Sequence, residues 1–192
     1  HRMQRDITLD VAKQIGGNIL LHPAVGMTKP GDNHYCARVH CYQAALKHYP
    51  HNLALLSLLP IAMRMAGPRE ALWHAIINQN YGCTHMVIGP KHAYPRINSN
   101  SSVDFYQSAM SGNLIVEFEK ELSIDVIQME EMRYVPTNKS FMPESKINTN
   151  DMESVVYTDL ILKDDLLHDN EIPSWFSYPD VIHELRKVYP SR

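Results

Sequence analysis

Residues 53–89 read LALLSLLPIAMRMAGPREALWHAIINQNYGCTHMVIG, and the fold turns on how this stretch is parsed. Residues 53–59 form a short apolar run with Pro60 as its stop, the pattern of a strand buried on both faces. Pro68 suits the first position of a helix, which would run through Trp73 and Ile77 to Gly82. Residues 84–88 are a second short apolar run. A buried strand, a helix and another buried strand make a crossover unit, and such units build parallel sheets.

The same rhythm extends outward in both directions. Upstream, residues 3–15 carry Ile7, Val11 and Ile15 at helical spacing and stop at Gly16-Gly17, a helix-ending pair. Residues 18–21 read as a buried strand closed by His22-Pro23. Residues 28–32 are a loop by composition, and residues 35–49 return to helical spacing with Val39, Tyr42 and Leu46. Downstream, residues 89–102 form a loop rich in Gly, Pro, Asn and Ser. A long helix is expected over 103–122, weakened by Ser111-Gly112, and a fourth strand over 124–129. Residues 1–131 are therefore expected to form a doubly wound, Rossmann-like parallel α/β domain. Residues 132–192 are expected to form a small, mostly helical subdomain, with helices near 161–167 and 178–188 and with Trp175 and Phe176 as its anchor.

Composition narrows the function classes. The 192 residues hold 18 Lys+Arg against 21 Asp+Glu, a formal charge of −3 that argues against a general electrostatic grip on nucleic acid. No apolar run approaches the ~18 residues of a membrane span, so membrane insertion is not expected. Cys36, Cys41 and Cys83 are odd in number and lack close zinc-pair spacing, which points to a reducing intracellular compartment, cytoplasm or organelle interior alike.

Open parallel sheets take ligands on the loops beyond the carboxyl ends of their strands. Those loops carry Lys29, Arg64, Lys91 and His92. Lys29 and Arg64 taken alone read as solvated loop charges, and His22, His74 and His85, beside apolar runs, as structural histidines. Cys36 and Cys41, five apart, share no helix face, so no metal site is expected there. The first helix would point free N–H groups and a positive dipole end at any anion near residues 1–4. A sheet of this type begins with a strand ahead of that helix. The expectation is that residues before His1, in the same polypeptide or a separate one, fill this slot.

Three segments carry a family resemblance: LLHPAVGMTKPGD (20–32), LSLLPIAMRMAGPREALWHAIINQNYGCTHMVIG (56–89) and EIPSWFSYPDVIHELRKVYPSR (171–192). They resemble ATP sulfurylase, sulfate adenylyltransferase, nearly end to end. The resemblance implies a Rossmann-like nucleotidyltransferase domain followed by a small domain. The implied activity is transfer of the adenylyl group of ATP to sulfate, giving adenosine phosphosulfate and pyrophosphate. Positioning and positive charge dominate such chemistry.

The resemblance places site residues at His1, Gln4, Pro90, Lys91 and His92, with nucleotide contacts at Gly89, Ala93 and Met132. Family members carry H-x-x-H where this chain has His1-Arg2-Met3-Gln4, and Gln4 cannot bring positive charge to a phosphate. Their G-R-D-H-A loop matches Gly89-Pro90-Lys91-His92-Ala93, where Pro90 has neither guanidinium nor N–H. Their I-S-G-T-x-L-R segment matches a stretch in which Asp159 falls at a Gly and Asp164 and Asp165 fall among basic positions. Glu130 and Glu131 also replace an apolar pattern near the implied adenine edge.

The expected protein is thus a catalytically degenerate ATP-sulfurylase homologue serving as a structural or accessory subunit in a hetero-oligomer with other protein chains. No bound cofactor is expected on this reading. An active sulfate adenylyltransferase, using ATP and Mg²⁺, and a nucleotide-binding sensor without turnover are the alternatives. The acidic stretch 159–171 is the expected contact for a basic partner surface.

Overall fold

The computed structural model describes residues 1–27, 35–95, 105–148 and 152–189. The expected loop at 28–32, with Lys29, and residues 96–102 of the expected 89–102 loop lie outside them. Helix α1 (Arg2–Ile15) ends on Gly16, whose φ of 64° is the left-handed cap that glycine supplies without strain. Strand β1 (Ile19–Leu21), helix α2 (Tyr35–Leu46) and strand β2 (Ala54–Leu56) follow. Helix α3 (Pro68–Asn80), with Pro68 at its first position, leads to β3 (His85–Ile88), α4 (Met110–Glu117) and β4 (Asp125–Gln128).

The architecture is α/β with parallel ladders. Strands β1 and β2 pair in parallel with Ile19 opposite Ala54, and β3 and β4 pair in parallel with His85 opposite Asp125. Each ladder has two strands among the described residues. The helix expected over 103–122 is shorter than its apolar pattern. α4 starts only at Met110, behind Ala109 in the left-handed region (φ 66°), and Ser111 and Gly112 lie buried at its start. Gly112 lets α4 approach β4, since a Cβ there would meet the Gln128 side chain at 1.9 Å.

Beyond residue 131 the chain is less helical than expected. Strands β5 (Met132–Val135) and β6 (Ser140–Pro143) pair, and a connection this short makes them an antiparallel hairpin. Lys139, at φ 49°, takes the turn. A 3₁₀ turn (Glu144–Lys146) and helices α5 (Asp159–Leu167) and α6 (Pro179–Arg186) complete the order.

Contacts gather the chain into two compact units, one of His1–Ala62, Met132–Met142 and Ile147–Arg192, the other of Met63–Glu131 and Pro143–Lys146. The grouping crosses the boundary expected at 131/132. The second unit has one core, in which Ala71, Ala75, Met86, Ile88, Ile115 and Ile124 bring α3, α4 and the β3–β4 ladder together. The first unit has several. Leu9, Ala12 and Ile19 join α1 to β1, while Ala44, Tyr178 and Val181 join α2 to α6. Leu162, Leu166 and Phe176 form a third, with Trp175 packed against it. Trp175 also stacks on Tyr134 with centroids 4.2 Å apart. The expected anchors of the C-terminal segment are therefore packed side chains.

Candidate functional site

In the second unit the site forms where the parallel strands end. Gly89 and Pro90 leave β3 into a turn in which the His92 N–H donates to the Gly89 carbonyl at 3.2 Å and the Tyr94 N–H to the Lys91 carbonyl at 3.2 Å. Ala93 adopts φ 61°, an unusual angle for a residue with a Cβ, and its carbonyl accepts the Gly67 N–H at 2.9 Å. The Ser111 hydroxyl donates to the His92 carbonyl at 2.9 Å, and the Tyr94 hydroxyl to the Gln107 carbonyl at 2.7 Å. The turn 89–94 is thus fixed from α3, α4 and the segment between them.

A cluster of buried polar side chains lies beneath the turn. Glu70, 3% exposed, accepts the backbone N–H groups of Arg64 and Ala66 at 2.7 Å each. His74, one helical turn on, holds Nε2 at 3.7 Å from Glu70 Oε1 and Nδ1 at 3.0 Å from His92 Nε2. The carboxylate favours a proton on His74 Nε2, which leaves Nδ1 as acceptor and His92 Nε2–H as donor. Burial pushes the His92 imidazole down to about 4, with the His74 charge acting in the same direction and Glu70 opposing. His74 is lowered as well, by burial, against Glu70. His92 is therefore neutral at pH 7 and carries no positive charge toward a phosphate.

Beside this turn lies a recess of about 400 Å³ at the carboxyl ends of β3 and β4. Pro90, Ser108 and Ala109 line one side, Gln128, Met129, Glu130 and Glu131 another, and Glu144 and Ser145 complete it. Among the described residues the lining has three carboxylates and no Lys, Arg or His. Glu130 and Glu131 stood out in the sequence. Glu144 did not, since the β5–β6 pairing and the bond from its N–H to the Glu131 carbonyl at 2.8 Å bring it here.

The other residues implied by the resemblance lie in the first unit. His1 caps α1, its ring 4.2 Å from that of Phe176, and Gln4 is exposed one turn later. Arg5, next to Gln4 on α1, is committed to structure: its guanidinium donates to the His48 carbonyl at 2.8 and 3.1 Å and to Asp6 at 2.8 Å. Met132 opens β5 and lines a shallow recess with Arg5, Asp10, Lys13 and Phe141. The structure thus brings Gly89, Pro90, Lys91, His92 and Ala93 into one turn, and places His1 and Gln4 together on α1.

The remaining candidates have structural settings. His85 Nδ1 pairs with the Thr84 hydroxyl at 2.9 Å, and its Nε2 lies 3.7 Å from Asp125 on the neighbouring strand. Arg64 is exposed, with its backbone N–H held by Glu70. Cys36, Cys41 and Cys83 form no disulfide, and among the described residues no group of three His, Cys, Asp or Glu could hold a metal ion. Among those residues, too, no helix is long and apolar enough to cross a membrane.

Parallel ladders with helical crossovers and a recess at the strand ends define a Rossmann-like α/β protein. The chain belongs to the ATP-sulfurylase family, whose model matches residues 1–188. It is 44% identical over its full length to a sulfate adenylyltransferase of Schizosaccharomyces pombe, covering 39% of that protein. Against the sulfate adenylyltransferases of Phaeosphaeria nodorum and Saccharomyces cerevisiae it is 42% identical over its full length, covering 33% and 37% of them. The chain thus spans about a third of the length of the curated relatives it matches. Among solved structures, a hexameric APS kinase from Thiobacillus denitrificans matches with a TM-score of 0.78 at 24% identity, over all of this chain and 34% of that one. That likeness is one of fold.

Proposed function

We propose that this chain is a member of the ATP-sulfurylase family that no longer transfers adenylyl groups and serves as a structural or accessory subunit. The observation that carries the reading is the lining of the recess at the strand ends, which among the described residues holds Glu130, Glu131 and Glu144 and no cation. Adenylyl transfer needs positive charge on the phosphates, and carboxylates in that position repel them. Pro90 offers no donor, and His92 is held neutral by burial and by the repulsion that a charged His74 beside it would exert. Gln4 and the acidic groups Asp164 and Asp165 are further losses of positive charge, at positions matched by motif. The lining does not fit MgATP, so no catalytic step is routed through it.

The identity of 42–44% to sulfate adenylyltransferases favours a second reading, that of an active enzyme using ATP and Mg²⁺. Assays in both directions decide between them. Purified protein given ATP, Mg²⁺ and sulfate, or adenosine phosphosulfate and pyrophosphate, is expected to show no turnover above background. Turnover that a sulfate analogue inhibits overturns the first reading. The double reversion Gln4→His with Pro90→Arg is expected to leave activity at background, because the acidic lining remains.

A further inference from the structure

Helix α3 (Pro68–Asn80) is sunk into its core by one face and leaves the other bare. Ala71, His74 and Ala75 are buried, the two alanines in the core of the second unit. At about 100° per residue, Arg69, Trp73, Ile76 and Asn80 share the outward stripe, and Ile77 and Tyr81 follow Trp73 along its edge at four-residue steps. Trp73 is 42% exposed, Ile76 40% and Tyr81 51%, and Arg69 is exposed as well. Exposed apolar side chains scattered singly are ordinary. A Trp, an Ile and a Tyr together on one helix, with an Arg at its start, are the side chains that carry binding energy at protein interfaces.

The charge beside this face has one sign. Apart from the buried His74, the ionisable residues of α3 are Arg69 and Glu70, and Glu70 is buried and spent on the Arg64 and Ala66 N–H groups. The first of those bonds also holds Arg64, which is exposed, next to the start of α3. Among the described residues neither Arg64 nor Arg69 has an ion-pair partner. Arg69 stands in the first turn, where a cation opposes the helix dipole and an added carboxylate relieves it.

We propose that the outward face of α3 docks an acidic amphipathic helix of a different protein. The partner's aliphatic side chains lie on Trp73, Ile76 and Tyr81, ridge into groove, and its carboxylates meet Arg69 and Arg64. A second copy of this face does not fit, since among the described residues its stripe offers Arg69 no carboxylate. A membrane fits less well: two arginines add only about 2 kcal/mol at an anionic surface, and the chain's formal charge is −3. In the acidic stretch 159–171, by contrast, Asp165 is engaged by the Tyr157 hydroxyl and Asp169 by Arg186, within the fold. The proposal gives the chemistry of a partner for an accessory subunit and rests on that reading. Its test measures binding alone, so a failure to dock and a return of adenylyl transfer are separate results.

Fluorescence anisotropy on the whole chain tests it with a labelled helical peptide of about 15 residues, leucines at i, i+3, i+4 and i+7 spacing and glutamates elsewhere. A matched peptide carries lysines in place of the glutamates. The glutamate peptide is expected to bind with a Kd of about 50 µM, and the lysine peptide at least about tenfold more weakly. W73A and I76S are each expected to weaken the glutamate peptide about tenfold, and the double variant R64E/R69E to reverse the preference between the two peptides. Far-UV circular dichroism is expected to be the same throughout; if W73A loses helix, I76S and R64E/R69E carry the test. No saturation by about 500 µM overturns the proposal, as does equal binding of the two peptides, or binding that these substitutions leave unchanged. Attachment to phosphatidylserine vesicles, or association of the chain with itself, that I76S abolishes while the glutamate peptide stays unbound also overturns it.

Discussion

At Glu70 and His92 the polar interior is connected tightly enough for single substitutions to be read as energies. Glu70 is the acceptor for two backbone N–H groups, and removing it leaves both without their acceptor. Glu70→Ala is expected to cost about 3 kcal/mol in urea unfolding, and Glu70→Gln about half as much, because the amide oxygen keeps one acceptor. Equal losses for the two substitutions would contradict the role given to the second N–H. His92 gives a pH dependence of definite sign. Its folded value of about 4 lies below the ~6.5 of an unfolded histidine, so the unfolded chain binds the proton first. The stability held above pH 6.5 is lost as pH falls toward 4, by about 3 kcal/mol from this group. His92→Gln removes the titration, so its unfolding free energy is expected to fall less steeply from pH 7 to pH 4. Parallel profiles would show that His92 does not resist the proton.

At the scale of elements, loops are positioned by close backbone approach. Gly26, on the segment after β1, donates its N–H to the Ile61 carbonyl at 2.9 Å. A Cβ there would lie 2.4 Å from the Ile61 carbonyl carbon, a backbone atom that cannot swing aside. Gly26→Ala is therefore expected to destabilise by about 2 kcal/mol, with the shift concentrated in amide exchange of residues near 24–26 and 59–61. An unchanged thermal midpoint would mean that the two segments separate freely. Gly67, before α3, combines φ 63° with the Tyr106 ring against its Cα, so the N-terminus of α3 also depends on a missing side chain.

For the whole molecule, the test is whether nucleotide stabilises the fold. A ligand at 100 times its Kd adds about 2.7 kcal/mol, enough to raise a thermal midpoint by several degrees. With the recess lined by glutamates, about 5 mM MgATP is expected to leave the midpoint where it was. A clear upward shift without turnover would instead support a nucleotide-binding sensor.

The sequence by itself determined the elements with strong local signals. Helix α1 ends at Gly16, α3 starts at Pro68, and the short apolar runs became parallel β1 to β4, because caps, prolines and apolar periodicity act over a few residues. Family membership was legible for the same reason, in segments that keep their core residues. The β5–β6 hairpin was not, since Met132–Val135 is short and follows a polar break, and its pairing stabilises only once Tyr134 stacks on Trp175. The apolar pattern over 103–122 predicted more helix than forms, because Ala109 and the bonded turn 89–94 fix where α4 begins. Likewise Glu70, His74 and His92 come together only because α3 and the turn after β3 meet over one core. Glu144 reaches the recess through the hairpin and a backbone bond to Glu131. Local propensity decides what an element is, whereas burial and hydrogen-bond satisfaction across distant segments decide which side chains share a site.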